Sequence, residues 1–235
     1  MRAFRRRRGL YVARLDDDER GVIAALVADV AELLGAGRID EAAVVPSPAD
    51  GSPRLQLEPV EPPSDPAVRR LLPDASRDDP EVSAEFRRLT EDDIRAGKVA
   101  RLSRLWTALT TPAEGQRADA FVIEAGDAKD VAAAITDLRL VLAERLDIRT
   151  DGQAERLYDQ LLASPGADLD EPSDDDDVGT DLDPATRRYL VAVYGALSWL
   201  QESLVEALLT DLRASGGARD TPPGRPPSGE RPPSG

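Results

Sequence analysis

The densest run of side chains able to do chemistry lies between Leu71 and Asp93. Asp74, Arg77, Asp78, Asp79, Glu85, Arg87, Arg88, Asp92 and Asp93 all fall inside it. Paired carboxylates at such spacing can hold Mg²⁺ or exchange protons with a substrate. Helix starts, however, need the same residue types. Asp78-Asp79-Pro80-Glu81 places a cap, a proline at the first helical position and a first-turn acid in the favoured order. Glu81, Glu85, Arg87 and Arg88 then suit ion pairing along a helix surface. A structural or partner-docking role is the stronger reading of this stretch. Nothing in the chain resembles a phosphate loop, a nucleophile elbow or a metal-ligand set, so no catalytic residue, cofactor or metal is expected.

The totals lean the same way. The 235 residues include no Cys and no His. Disulfides, thiolate chemistry and Cys-ligated metals are excluded, and the usual general base near neutral pH is missing. A net charge of −15 sets most of the surface against nucleic acid and anionic membrane. The charge is uneven. Nine acids lie between Asp168 and Asp183 with no base among them, and removing them would leave −6. Six arginines, Arg2, Arg5, Arg6, Arg7, Arg8 and Arg14, crowd the first fourteen residues.

Arg5, Arg6, Arg7 and Arg8 can contact DNA phosphates. A solvated basic strand edge, which discourages edge-to-edge pairing, is the favoured alternative because overall acidity opposes DNA. Trp199 and Glu202, in SWLQESLVEAL, are offset from the leucine stripe of their helix. They can face a partner, although packing of Trp199 in the core is the preferred reading. No apolar run is long enough to span a membrane, and a cytoplasmic location is expected.

The elements that must position these residues follow from periodicity. Residues 9–15 read as a strand, and Asp16–Asp18 cap a helix running through Leu34 to Gly35. Seven prolines between 44 and 66 predict an extended loop, with a brief strand at 54–58. A helical stretch at 65–110 carries one apolar face through Leu89 and a second after a fresh cap at Thr90. Residues 119–124 read as a second strand, followed by a helix from Asp127 to Leu146 and a shorter one at 153–163. The run 164–183 is expected to be an acidic linker and 214–235 a floppy tail. Between them a last helix starts after Asp183-Pro184.

Three stretches carry a family resemblance: LLPDASRDDPEVSAEFRRLTEDDIRAGKVARL (71–102), TDLRLVLAERLDI (136–148) and YGALSWLQESLVEALL (194–209), with the opening FRRRRGLYVARLD. Together they resemble the actinobacterial oxidative-stress regulator AosR family, over roughly 1–35, 65–162 and 184–212. The resemblance implies a transcriptional regulator of redox genes that acts with an alternative sigma factor of RNA polymerase. A chain without Cys has no disulfide switch, so its signal must enter another way. Ser76 stands where the resemblance leads one to expect an aromatic residue.

The sequence therefore predicts an α+β, predominantly α-helical fold, with about five helices and a small two-stranded β ribbon. Residues 1–163 and 184–213 form one domain. The expected function is non-enzymatic regulation by binding the transcription machinery (sigma factor or RNA polymerase), with DNA contact through the N-terminal arginines and a homodimer through the last helix as further expectations. The alternatives are a structural adaptor and a carboxylate-based Mg-dependent enzyme. The residues expected to meet a partner are Arg5, Arg6, Arg7, Arg8, Asp74, Arg77, Asp78, Asp79, Arg87, Arg88, Trp199 and Glu202.

Overall fold

A computed structural model describes residues 1–37, 39, 60–76, 78–111, 115, 117–163 and 182–217. The expected strand at 54–58, most of the proline-rich loop, nearly all of the acidic run and the tail, and Arg77 lie outside them. The element order is β1 (Arg2–Arg7), β2 (Leu10–Arg14), α1 (Asp17–Leu33), α2 (Pro66–Leu71), α3 (Pro80–Thr110), β3 (Ala120–Glu124), α4 (Ala128–Arg145), α5 (Asp151–Ala163) and α6 (Pro184–Gly217). The fold is α+β and helix-dominated, as expected. The two anticipated strands, β2 and β3, pair antiparallel from Leu10↔Glu124 to Arg14↔Ala120.

The expected ribbon is corrected to a three-stranded antiparallel sheet of order β1-β2-β3, and the helices among the described residues number six. Strand β1 reads RAFRRR, with too little apolar alternation to announce a strand. It is brought into the sheet by its hairpin. Arg8 and Gly9 both have positive φ, 52° and 83°, the pattern of the two-residue turn that matches strand twist. Arg7 then pairs with Leu10, Arg6 with Tyr11 and Arg5 with Val12, and an irregularity before Arg5 resets the register to Arg2↔Arg14.

Helix α1 starts on a reciprocal capping box. The Glu19 amide donates to Asp16 Oδ1 at 2.8 Å, and the Asp16 amide to Glu19 Oε2 at 2.9 Å. It ends where the sequence predicted. Gly35, at φ 80°, donates to Glu32 O, and the Ala36 amide reaches back to Ala31 O. The two helices expected within 80–110 are one continuous α3. Thr90 is no cap, because its hydroxyl turns back to donate to Phe86 O, the carbonyl one turn earlier, at 2.8 Å.

Along the strands, alternate residues face opposite ways. Phe4, Tyr11, Ala13, Phe121 and Ile123 point to one side and join a single core with residues of α1, α2, α3, α4 and α6. Phe4 and Phe121 meet with ring centroids 5.5 Å apart. Helix α6 lies along β1, where Ser203 Oγ accepts the Phe4 amide at 3.2 Å. Helix α4 packs between α2, α3 and α6. A smaller cluster of Ala143, Leu146, Ile148 and Val191 seats α5 through Ala154 and Leu157.

Candidate functional site

The Leu71–Asp93 stretch ties the loop after α2 onto the start of α3. Leu71 and Leu72 are buried. Asp79 caps α3 by accepting the Glu81 and Val82 amides at 3.0 Å each. Ser76, the unexpected residue of the motif, accepts the Asp79 amide at 3.1 Å through its hydroxyl. Its own amide donates to Ser83 Oγ, which donates in turn to Ser76 O at 2.7 Å. An aromatic ring there would lose the hydroxyl contact. Arg87, buried, ion-pairs with Asp74, donates to Val60 O at 3.2 Å and lies 3.4 Å from buried Glu91. Arg95 pairs with Glu91 and donates to Leu34 O, closing the end of α1. Arg88 holds Glu85 on the surface, and that hydrogen bond draws the Glu85 carboxyl below its ordinary range. Asp78 is exposed. Asp74, Asp79 and Arg87 thus hold protein partners, although Asp74 and Asp79 remain exposed alongside Asp78, Glu81, Glu85, Asp92 and Asp93.

The N-terminal arginines divide by strand alternation. Arg6 shares the inward side with its partner Tyr11; both reach Asp211 of α6, Arg6 by an ion pair and the Tyr11 hydroxyl by a 3.1 Å hydrogen bond. Arg6 therefore remains exposed, as expected of the Arg5–Arg8 edge, while its ion pair also clamps β1 to α6. Arg5 and Arg7 face outward opposite Val12 and Leu10, and Arg2 faces outward opposite Arg14. In the next strand Arg14, Val12 and Leu10 stand opposite Ala120, Val122 and Glu124. The outer face thus carries a column of arginines on β1 beside partly exposed Leu10, Val12 and Val122.

Arg14 lies 3.8 Å from Asp119. Desolvation pushes the Asp119 carboxyl up, but the Arg117 hydrogen bond and the charges of Arg117 and Arg14 outweigh it and hold Asp119 low. Arg2, Arg5, Arg7 and Arg8 are exposed and ion-pair with no described residue. The outer face was missed in the sequence because its aliphatic half comes from β2 and β3. The signal was present in the alternation of Leu10 and Val12 with Tyr11 and Ala13.

Trp199 is not in the core. It stays 41% exposed, because Leu197, Leu200 and Leu204 take the buried positions of α6. Glu202 is exposed beside Val205 and Leu209, and Leu212 is 70% exposed. Gln201, next to Glu202, is structural: its amide donates to Thr136 Oγ1 at 2.6 Å, and its carbonyl oxygen accepts from Arg139 at 2.7 Å. Two further groups had no signal in the sequence. Lys98 of α3 donates to Asp137 of α4 at 2.6 Å, in a pair almost sealed from solvent. Arg20 holds the carbonyls of Leu15, Leu109, Ala118 and Ala120, joining α1, the end of α3 and the start of β3.

Among the described residues no group of three or more His, Cys, Asp or Glu could hold a metal ion, and no helix is long and apolar enough to cross a membrane. Compared with known proteins, the chain matches the family model described as Domain of unknown function (DUF2017) over residues 1–208. No curated protein and no solved structure matches it.

Proposed function

The chain belongs to the DUF2017 family, and from that premise we propose that it is a non-enzymatic regulator that works by docking on a protein of the transcription machinery. A sigma factor or RNA polymerase is the target suggested by the resemblance to the AosR regulators, and redox or oxidative-stress genes are the output. The observation that carries the docking reading is the outer sheet face: exposed arginines, unpaired within the described residues, beside an aliphatic strip, on a chain of charge −15. Interfaces favour arginine at a partly apolar patch. The carboxylates offered by sequence for metal or acid–base chemistry hold protein partners instead, Asp74 on Arg87 and Asp79 on the α3 amides. That arrangement favours binding over chemistry at the motif. With no Cys in the chain, the inducing signal reaches the regulator through its partner or by a route other than thiol oxidation.

The test is retention from host extract at physiological salt, with and without oxidant. The full chain is expected to retain a sigma factor or RNA polymerase subunit, and the Arg5→Glu/Arg7→Glu variant to lose it. Retention of no transcription component would overturn the regulator reading.

A further inference from the structure

We infer that the outer face of the sheet binds an extended acidic segment of a partner protein. Its carboxylates meet Arg2, Arg5 and Arg7, and its aliphatic side chains rest on Leu10, Val12 and Val122. The inference deepens the docking reading and rests on it.

The geometry comes from the ladder. Arg5 and Arg7 lie two residues apart on one strand, so their side chains leave the sheet about 7 Å apart on the same face. Alternate residues of an extended segment repeat at the same distance, so a carboxylate on every second residue falls beside one arginine. Carboxylates take arginine in a two-pronged hydrogen bond, which adds direction to the attraction. The neighbouring columns are aliphatic, Val12 and Leu10 and then Val122, and can cover apolar side chains of the same segment. Glu124 closes the corner diagonally across from Arg2 and gives the face a basic side and an acidic corner. A bound segment is thereby set in one orientation.

Nucleic acid fits this face less well. Single strands are held by bases stacked on aromatic side chains, and Phe4, Tyr11 and Phe121 all point into the core. A charge of −15 repels a long polyanion along its whole length, whereas a short acidic segment presents only a few charges to it.

Fluorescence anisotropy on the full chain decides the matter, with a short labelled peptide alternating Glu and Leu. Binding is expected to weaken by about tenfold or more when Gln replaces Glu in the peptide, and again when Arg5→Glu/Arg7→Glu is introduced in the protein. The same variant is expected to gain binding of a Lys/Leu peptide, which a misfolded protein would not do. Binding indifferent to both changes overturns the inference, as does labelled single-stranded or duplex DNA that outbinds the peptide through Arg5 and Arg7. Peptide binding without retention of transcription components would sink the regulator reading alone. Retention that survives the arginine reversal would sink the present inference alone.

Discussion

Two sets of arginines in this molecule have the same chemistry and opposite surroundings. Arg20, Arg87 and Arg95 end on backbone carbonyls and buried carboxylates, joining α1, α3 and the turn before β3. Arg2, Arg5 and Arg7 stand in a row on the outer sheet face and meet no described carboxylate. Residue type did not separate the sets; direction did. On β1 a single step of strand alternation turns Arg6 onto Asp211 while its neighbours face water. On α3 one turn of helix sets Arg87 beside Glu91 and leaves Arg88 on the surface with Glu85. A guanidinium holds the fold together where its five donors are matched by protein. Where they are not matched, it is ready for a partner.

If this contrast is right, the internal set should fail by unfolding and the outer set by loss of binding. The largest effect belongs to Lys98, a largely covered cation that behaves like the internal arginines. Lys98→Met leaves Asp137 charged, buried and alone, and should destabilise by about 3–5 kcal/mol in urea unfolding. The double variant Lys98→Met/Asp137→Leu should recover most of that loss. If the single variant were as stable as the parent, the pair would not bind α3 to α4.

Next is Arg87→Ala. It removes the contacts to Asp74 and Val60 O but leaves Glu91 its partner Arg95, so about 2–3 kcal/mol is expected from thermal or urea unfolding.

A smaller effect appears on acidification. The Arg145 hydrogen bond and the Ala67 amide hold the Asp65 carboxyl below its ordinary value. A depressed carboxyl contributes stability that is present above the unfolded pKa and is lost as pH falls through the lower, folded one. The unfolding midpoint should therefore drop below about pH 4, and Asp65→Asn should flatten part of that drop while lowering stability at neutral pH. A variant with an unchanged acid limb would show that Asp65 does not tie α2 to α4.

The smallest effect on stability belongs to the outer set. Arg5→Glu/Arg7→Glu should leave the melting temperature unchanged while abolishing retention of the partner. A fall in melting temperature comparable to that of Arg87→Ala would erase the distinction between the two sets.

How far the sequence foretold all this depends on range. Local signals were legible: the Asp16 cap, the Gly35 ending, the Asp79 cap with Pro80, and the apolar alternation of β2 and β3. Ambiguous local signals misled. Thr90 has both a cap's chemistry and the means to bond back one turn, and inside a long helix the second prevailed. Trp199 suggested core by size, but the leucines beside it fill the helix's buried stripe. Strand β1 was illegible because its charge hid the alternation, although an Arg-Gly turn can close a hairpin where Asn-Gly is the usual signal. Pairs such as Lys98 with Asp137, 39 residues apart, exist only once α3 and α4 have docked, so no local pattern contains them.

The placing of β2 in the middle of the sheet has a consequence for how the chain assembles. Its first partner is the adjacent hairpin strand, a contact made across a two-residue turn. Its second partner lies more than a hundred residues downstream, from Ala120 to Glu124. Contacts of such separation form slowly, because a long loop must close before any of them is made. During synthesis the hairpin therefore emerges with one edge of β2 open and with Phe4 and Tyr11 uncovered. The seam closes only after β3 has left the ribosome, and the α6 clamp on Arg6 comes later still, 205 residues on from the arginine it holds. Synthesis speed and chaperone cover over that interval, more than the final stability, should set how much of this protein reaches its folded form.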